Sequence, residues 1–121
     1  MMTKLHSTVT SIGAECELFL QEKMMILFHE DVPKELKEIA VVHNNRDIKD
    51  DVAAGDFLVI GDERYEILFV GSKANETLRE LGHATFFFNG ESSSDLPGNI
   101  CLEDKAFALP KENEEIKIIA V

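Results

Sequence analysis

The sequence predicts a mainly β domain: a small closed or partly closed β-barrel of short strands, with one main helix at about residues 73–81. Three observations carry this prediction. Short runs rich in Val, Ile, Phe and Thr recur along the chain, separated by Gly, Asn, Asp and Pro. A single segment has the start, spacing and stop of a helix. The chain has 121 residues, 45% hydrophobic and 29% charged, which suits one folded domain with one modest core. Residues 1–121 are therefore read as a single domain.

The elements follow in order. "LHSTVTSI" (residues 5–12) alternates loosely and carries β-branched side chains, so it reads as a strand ended by Gly13. "AECELFLQEK" (14–23) fits a short helix or a loop. "MMILFHE" (24–30) is a strand. Pro33 opens "PKELKEIA", a single helical turn with proline in its first position, and residues 41–43 are extended. "GDFLVIGDERYEILFVG" (55–71) reads as a hairpin about Gly61-Asp62-Glu63-Arg64. In "SKANETLRELG" Ser72 is placed to cap the helix and Gly82 to close it, and Leu78 and Leu81 share a face. "ATFFFNG", "GNICLED", "AFALP" and "EIKIIAV" complete the strands. In "ATFFFNG" Phe86 and Phe88 face one way and Phe87 the other. Both faces need cover, the second from the helix, a loop or a second chain in a homodimer.

The net charge is −11, from 12 basic and 23 acidic residues. Such a chain repels phosphate backbones and anionic headgroups, which argues against nucleic acid and bare membrane as partners. A basic or mixed protein surface is the better match; the alternative is that the acidic excess serves solubility alone. No run approaches the ~20 apolar residues of a membrane-spanning helix, and the start lacks the apolar core of a secretory signal. Cys16 and Cys101 make no disulfide scaffold. These features give the expectation of a cytoplasmic protein with no direct membrane insertion.

The chain contains no GxGxxG, no GxxxxGK[ST], no HExxH, no zinc-spaced Cys/His cluster and no GxSxG. That leaves the histidines as the informative reactive groups. His6 and His29 read as surface residues of strands. His43 closes the apolar run Val41-Val42, and His83 lies between the glycine that ends the helix and the next strand. Side chains at such junctions can face solvent while the core holds their backbones, the placement a reactive imidazole needs; the alternative for each is a hydrogen-bonded structural histidine. A neutral imidazole can attack an electrophile with one nitrogen while a neighbour fixes the other. A phosphoryl group carried there would need donors, and Asn44, Asn45 and Arg46 with nearby backbone N–H groups could supply them.

The segment "VGSKANETLRELGHATFFFNG" (70–90) resembles the glucitol/sorbitol-specific IIA component of the bacterial phosphoenolpyruvate-dependent sugar phosphotransferase system. The matching parts are Val70-Gly71-Ser72, the block Leu78-Arg79-Glu80-Leu81-Gly82-His83, and the strand that ends at Gly90. "STVTSIGAE" is similar to the family's opening strand and "DLPGNICLE" to its Pro-Gly strand start. The resemblance implies a β-barrel-like domain that relays a phosphoryl group. It would take the group from the histidine phosphocarrier protein HPr onto its own histidine. It would then pass it to a cysteine on the IIB part of the permease, which phosphorylates the hexitol during uptake.

The family's phosphorylated histidine follows a short apolar strand ahead of LRELGH, and His43 holds that position here. Where the family often carries a further histidine and a glycine, this chain has Asn45 and Arg46. The resemblance gives His83 a supporting role, as a donor to the phosphoryl group or as a residue that orients His43. The expected nucleophile is the far nitrogen of His43, with the near one fixed by a backbone carbonyl or side chain. Phosphoryl transfer of this kind rests on positioning and charge, and no cofactor, metal or nucleotide is expected. The rival readings are a non-catalytic regulatory or binding domain that reuses the fold, and a metal-binding barrel using His43 and His83.

Overall fold

The computed structural model describes residues 2–121. Its elements are β1 (Met2–Ile12), α1 (Cys16–Leu20), β2 (Met24–His29), α2 (Lys34–Lys37), β3 (Val41–His43), β4 (Phe57–Ile60), β5 (Glu63–Val70), α3 (Ala74–Leu81), β6 (Ala84–Phe87), β7 (Asn99–Leu102) and β8 (Glu115–Ala120). The strands close into a barrel in the order β1-β3-β2-β6-β7-β5-β4-β8, with β8 returning to β1. Closure leaves no strand edge unpaired. The pairs β2–β3 and β6–β7 are parallel, and the other pairings are antiparallel.

Alternation along the strands decides what fills the barrel. Leu5, Val9, Leu27, Val41, Leu58, Ile67, Phe86, Ile100, Ile116 and Ile118 point inward and are buried. A second, smaller cluster of Ile26, Phe28, Ala40 and Val42 lies on the outer side of β2 and β3, packed by Phe19 of α1 and by Leu36 of α2. Both faces of β2 are therefore covered. This accounts for a strand, "MMILFH", that is apolar nearly throughout rather than alternating.

The β4–β5 hairpin turns at Gly61, whose φ of +58° suits glycine, so the expected turn is present. The ambiguous segment 14–23 resolves into the short α1. Three expectations need correction. Residues 106–110 ("AFALP") form no strand; they run as a loop that lays Phe107 against Phe88, ring centroids 3.8 Å apart. Ser72 does not cap α3, where Lys73 holds that position without a side-chain bond. Leu78 is fully buried, but Leu81 is 41% exposed, so the two leucines do not share a buried face. Phe87 is half-buried on the outer side of β6, while Phe86 and Phe88 are inside.

One buried ion pair joins β1 to the loop before β4. Lys4 on β1 donates to Asp56 (2.8 Å) and to the Asp51 carbonyl oxygen (2.7 Å), and Asp56 also accepts from the Ala53 N–H. Asp56 Oδ2 thus takes two donors and the Lys4 ammonium two acceptors, so the two charges are paired where they are buried. The contact ties the loop before β4 to the strand that carries Ser7.

Candidate functional site

The site forms at one end of the barrel, where β1, β2, β3 and the α3–β6 corner meet. Period-2 alternation turns His43 inward after Val41, and it is 1% exposed, which corrects the expected solvent-facing placement. The parallel β2–β3 register sets His29 directly beside it. The two rings meet edge to face with centroids 5.9 Å apart. His29 is 9% exposed, which corrects its expected surface position. Its Nδ1 accepts from the Asp31 N–H at 3.1 Å.

The third wall is the end of α3. Gly82 sits in the left-handed region at φ 60°. Its N–H donates to the Leu78 carbonyl oxygen, and the His83 N–H to that of Thr77, the paired bonds of a glycine-terminated helix. This turn aims the Gly82 carbonyl at His43. The Nε2–H of His43 donates to the Gly82 oxygen at 2.8 Å. A carbonyl only accepts, so Nε2 carries the proton and Nδ1 of the neutral ring has the lone pair. Nδ1 accepts in turn from the Ser7 hydroxyl at 2.8 Å. The Ser7 oxygen is itself held by the backbone N–H groups of Asn45 (2.9 Å) and Asn44 (3.2 Å). A hydrogen-bonded chain thus runs from β3 through Ser7 and His43 to Gly82.

Burial holds the His43 imidazole below the ordinary histidine range; the Gly82 carbonyl opposes this, and the charge of the neighbouring His29 adds to it. The ring is therefore neutral near pH 7, the form that has a lone pair to offer. His83 is also shifted down by burial, opposed by the Leu27 carbonyl, which accepts from its Nδ1–H at 3.0 Å. Its ring stacks on Phe28, centroids 4.1 Å apart. Phe28 belongs to the outer cluster, so the His83 ring is turned to the outer side of β2 and away from His43. The residue that touches His43 from this corner is Gly82.

The three residues after His43 are placed differently from one another. Asn44 Oδ1 accepts from the Thr8 N–H at 3.2 Å, and Asn45 Nδ2 donates to the His6 carbonyl oxygen at 2.8 Å. Their backbone N–H groups face Ser7, so these two residues contribute main-chain donors to the site while their side chains pin β1. Arg46 is half-buried and, among the described residues, its guanidinium has no ion pair. Among the described residues no group of three or more His, Cys, Asp and Glu side chains is arranged to hold a metal ion, and no helix is long and apolar enough to cross a membrane. Cys16 and Cys101 are both free and buried.

Ser7 and His29 were not singled out by their residue types. The signal was present in the alternation. Ser7 falls between the inward Leu5 and Val9, and His29 follows the inward Met25 and Leu27 at the same spacing.

The family model for the phosphotransferase-system glucitol/sorbitol-specific IIA component matches residues 4–117. The chain is 36% identical over 100 residues to the glucitol/sorbitol-specific EIIA components of Shigella flexneri and Escherichia coli, covering 82% of this chain and 81% of theirs. The crystal structure of a phosphotransferase-system IIA component from Enterococcus faecalis superposes with a TM-score of 0.84 at 30% identity, covering 96% of this chain and 100% of that one.

Proposed function

This chain belongs to the family of glucitol/sorbitol-specific IIA components, phosphocarriers of the sugar phosphotransferase system, and from that premise we propose that His43 is the residue that carries the phosphoryl group. The donor is phospho-HPr, and the acceptor is a cysteine of the IIB permease component that takes up a hexitol. The relay operates in the cytoplasm. The observation that supports this reading is the hold on the His43 ring: bonded at both nitrogens, aimed by the end of α3, and kept neutral by burial.

The chemistry asks little more of the protein than this. A lone pair of His43 attacks phosphorus in line, the donor's N–P bond breaks, and its electron pair stays on the donor's imidazole. Fixing the ring in one orientation removes the rotational freedom that would otherwise raise the barrier. The backbone N–H groups of Asn44 and Asn45 and the guanidinium of Arg46 lie next in sequence and stabilise the phosphoryl oxygens. His83 supports the site at one remove: its backbone and ring anchor the corner from which Gly82 reaches His43. The excess of 23 acidic over 12 basic residues steers a donor with a basic docking face.

The test is phosphoryl transfer in solution. The protein is mixed with phosphoenolpyruvate, enzyme I and HPr, and acid-labile phosphate is mapped by mass spectrometry. Label on His43 is expected, and His43→Ala should take none. Label on His83 would exchange the two roles. No label, with every component shown to be active, would favour a regulatory domain that binds partners without accepting phosphate.

A further inference from the structure

We propose that Ser7 is a positioning residue that switches the tautomer of His43 and so frees Nε2 for phosphoryl transfer. The inference rests on the reading of His43 as the phosphoryl acceptor and adds what the closed site needs in order to react.

In the closed site Nε2 cannot attack. It bears the ring proton and is held at 2.8 Å by the Gly82 carbonyl oxygen. Nδ1 has the lone pair but faces the Ser7 hydroxyl, in a residue only 2% exposed. Attack through Nε2 requires the other tautomer. A proton taken from water at Nδ1 and the Nε2 proton returned to water accomplish the change with no net gain or loss. Nδ1–H then needs an acceptor, and Nε2 presents its lone pair to the lone pairs of the Gly82 oxygen. Attraction at that contact becomes repulsion, which opens the α3–β6 corner beside Nε2. The Nε2 lone pair forms the new N–P bond as the donor's N–P bond breaks. The phosphorylated ring keeps its proton on Nδ1.

Ser7 is built to serve both tautomers. A hydroxyl has one proton to give and lone pairs to receive. In the closed site it gives that proton to Nδ1. In the switched site it receives from Nδ1–H and turns its own proton to Asn44 Oδ1, which already lies 3.4 Å away. The crowding this creates on the Ser7 oxygen has an outlet. The Asn44 N–H also reaches the Thr8 carbonyl oxygen at 3.2 Å and can rest there, leaving the Asn45 N–H at 2.9 Å as the fixed donor. A methyl group at this position would serve neither tautomer.

The experiment compares wild type, Ser7→Ala and Ser7→Thr in single-turnover labelling by phospho-HPr, with ¹⁵N spectra of the His43 ring before and after phosphorylation. Wild type should show the proton on Nε2 before phosphorylation and on Nδ1 after it. Ser7→Ala should label His43 more slowly by on the order of tenfold or more, the scale of a lost hydrogen bond to a charged ring. Ser7→Thr, which keeps the hydroxyl, should recover most of the rate. Equal rates for wild type and Ser7→Ala, with label on His43, would overturn the role of Ser7 alone. So would a phosphorylated wild-type ring without a proton on Nδ1, a result that needs no variant to fold. Wild-type protein that takes no label on His43 would overturn the phosphocarrier assignment of that residue and this inference with it.

Discussion

Gly82 and His43 are in contact through the helix end: a Cβ placed on Gly82 would lie 2.8 Å from His43 Nε2 and 2.7 Å from His29 Cβ. The φ of +60° at Gly82 is a second reason for glycine, since an L side chain there costs about 1–2 kcal/mol. Gly82→Ala should therefore destabilise the domain by about 2 kcal/mol or more, strain and overlap together. It should also push the carbonyl off Nε2 and impair labelling of His43. Thermal melts and single-turnover labelling check both parts; a variant with wild-type stability would mean that the corner yields freely.

His29 stands edge-on to His43 across the parallel strands, and its charge contributes to holding the His43 imidazole low. His29→Leu removes that charge while filling similar space. The His43 titration, followed by its ring resonances in NMR, should move upward. Burial remains the larger cause and still keeps the value below the ordinary 6.5. A downward movement would show that the added apolar surface outweighs the lost charge.

The barrel was legible because most of its strands follow a simple rule, inward apolar residues at every second position, and glycines mark their ends. Its closing order was not, because the parallel pairs β2–β3 and β6–β7 join segments whose register no local pattern specifies. The site was half legible. His43 stood out by ending an apolar run, and LRELGH by resemblance. Ser7 was hidden among the hydroxyl residues of "HSTVTS", where a buried serine, the half-buried Thr8 and the exposed Thr10 look alike until the strand's inner face is known. His83 misled because adjacency in the chain is not adjacency in space: the peptide carbonyl just before it reaches His43, while its ring is drawn to Phe28.

That placement makes a distinct expectation for His83. Its stack on Phe28 and its bond to the Leu27 carbonyl together contribute about 1–2 kcal/mol. His83→Ala should lower stability by roughly that amount. His83→Gln should slow transfer without unfolding the domain, and by less than His43→Ala, which should abolish it. A loss as complete as that of His43→Ala, in a folded His83→Gln variant, would place the ring in the reaction itself.

Stability should also depend on pH through His43. Its folded-state pKa lies below the unfolded value of 6.5, chiefly because burial disfavours the charged ring. The unfolded chain then binds more protons than the folded one between those two values, so stability rises with pH across that window. The contribution is fully present above 6.5, falls away as pH drops below it, and levels off once the folded ring is protonated as well. His83 is shifted the same way by burial and acts in the same direction. Denaturant unfolding from about pH 8 down to about pH 5 should show wild type losing stability faster than His43→Gln, which has no proton to bind at that site. Equal slopes for the two proteins would mean that the buried ring is protonated in the folded state as readily as in the unfolded chain. The bond from Nε2–H to Gly82 would then survive protonation while the one from the Ser7 hydroxyl to Nδ1 would not, and the tautomer switch would lose its neutral starting point.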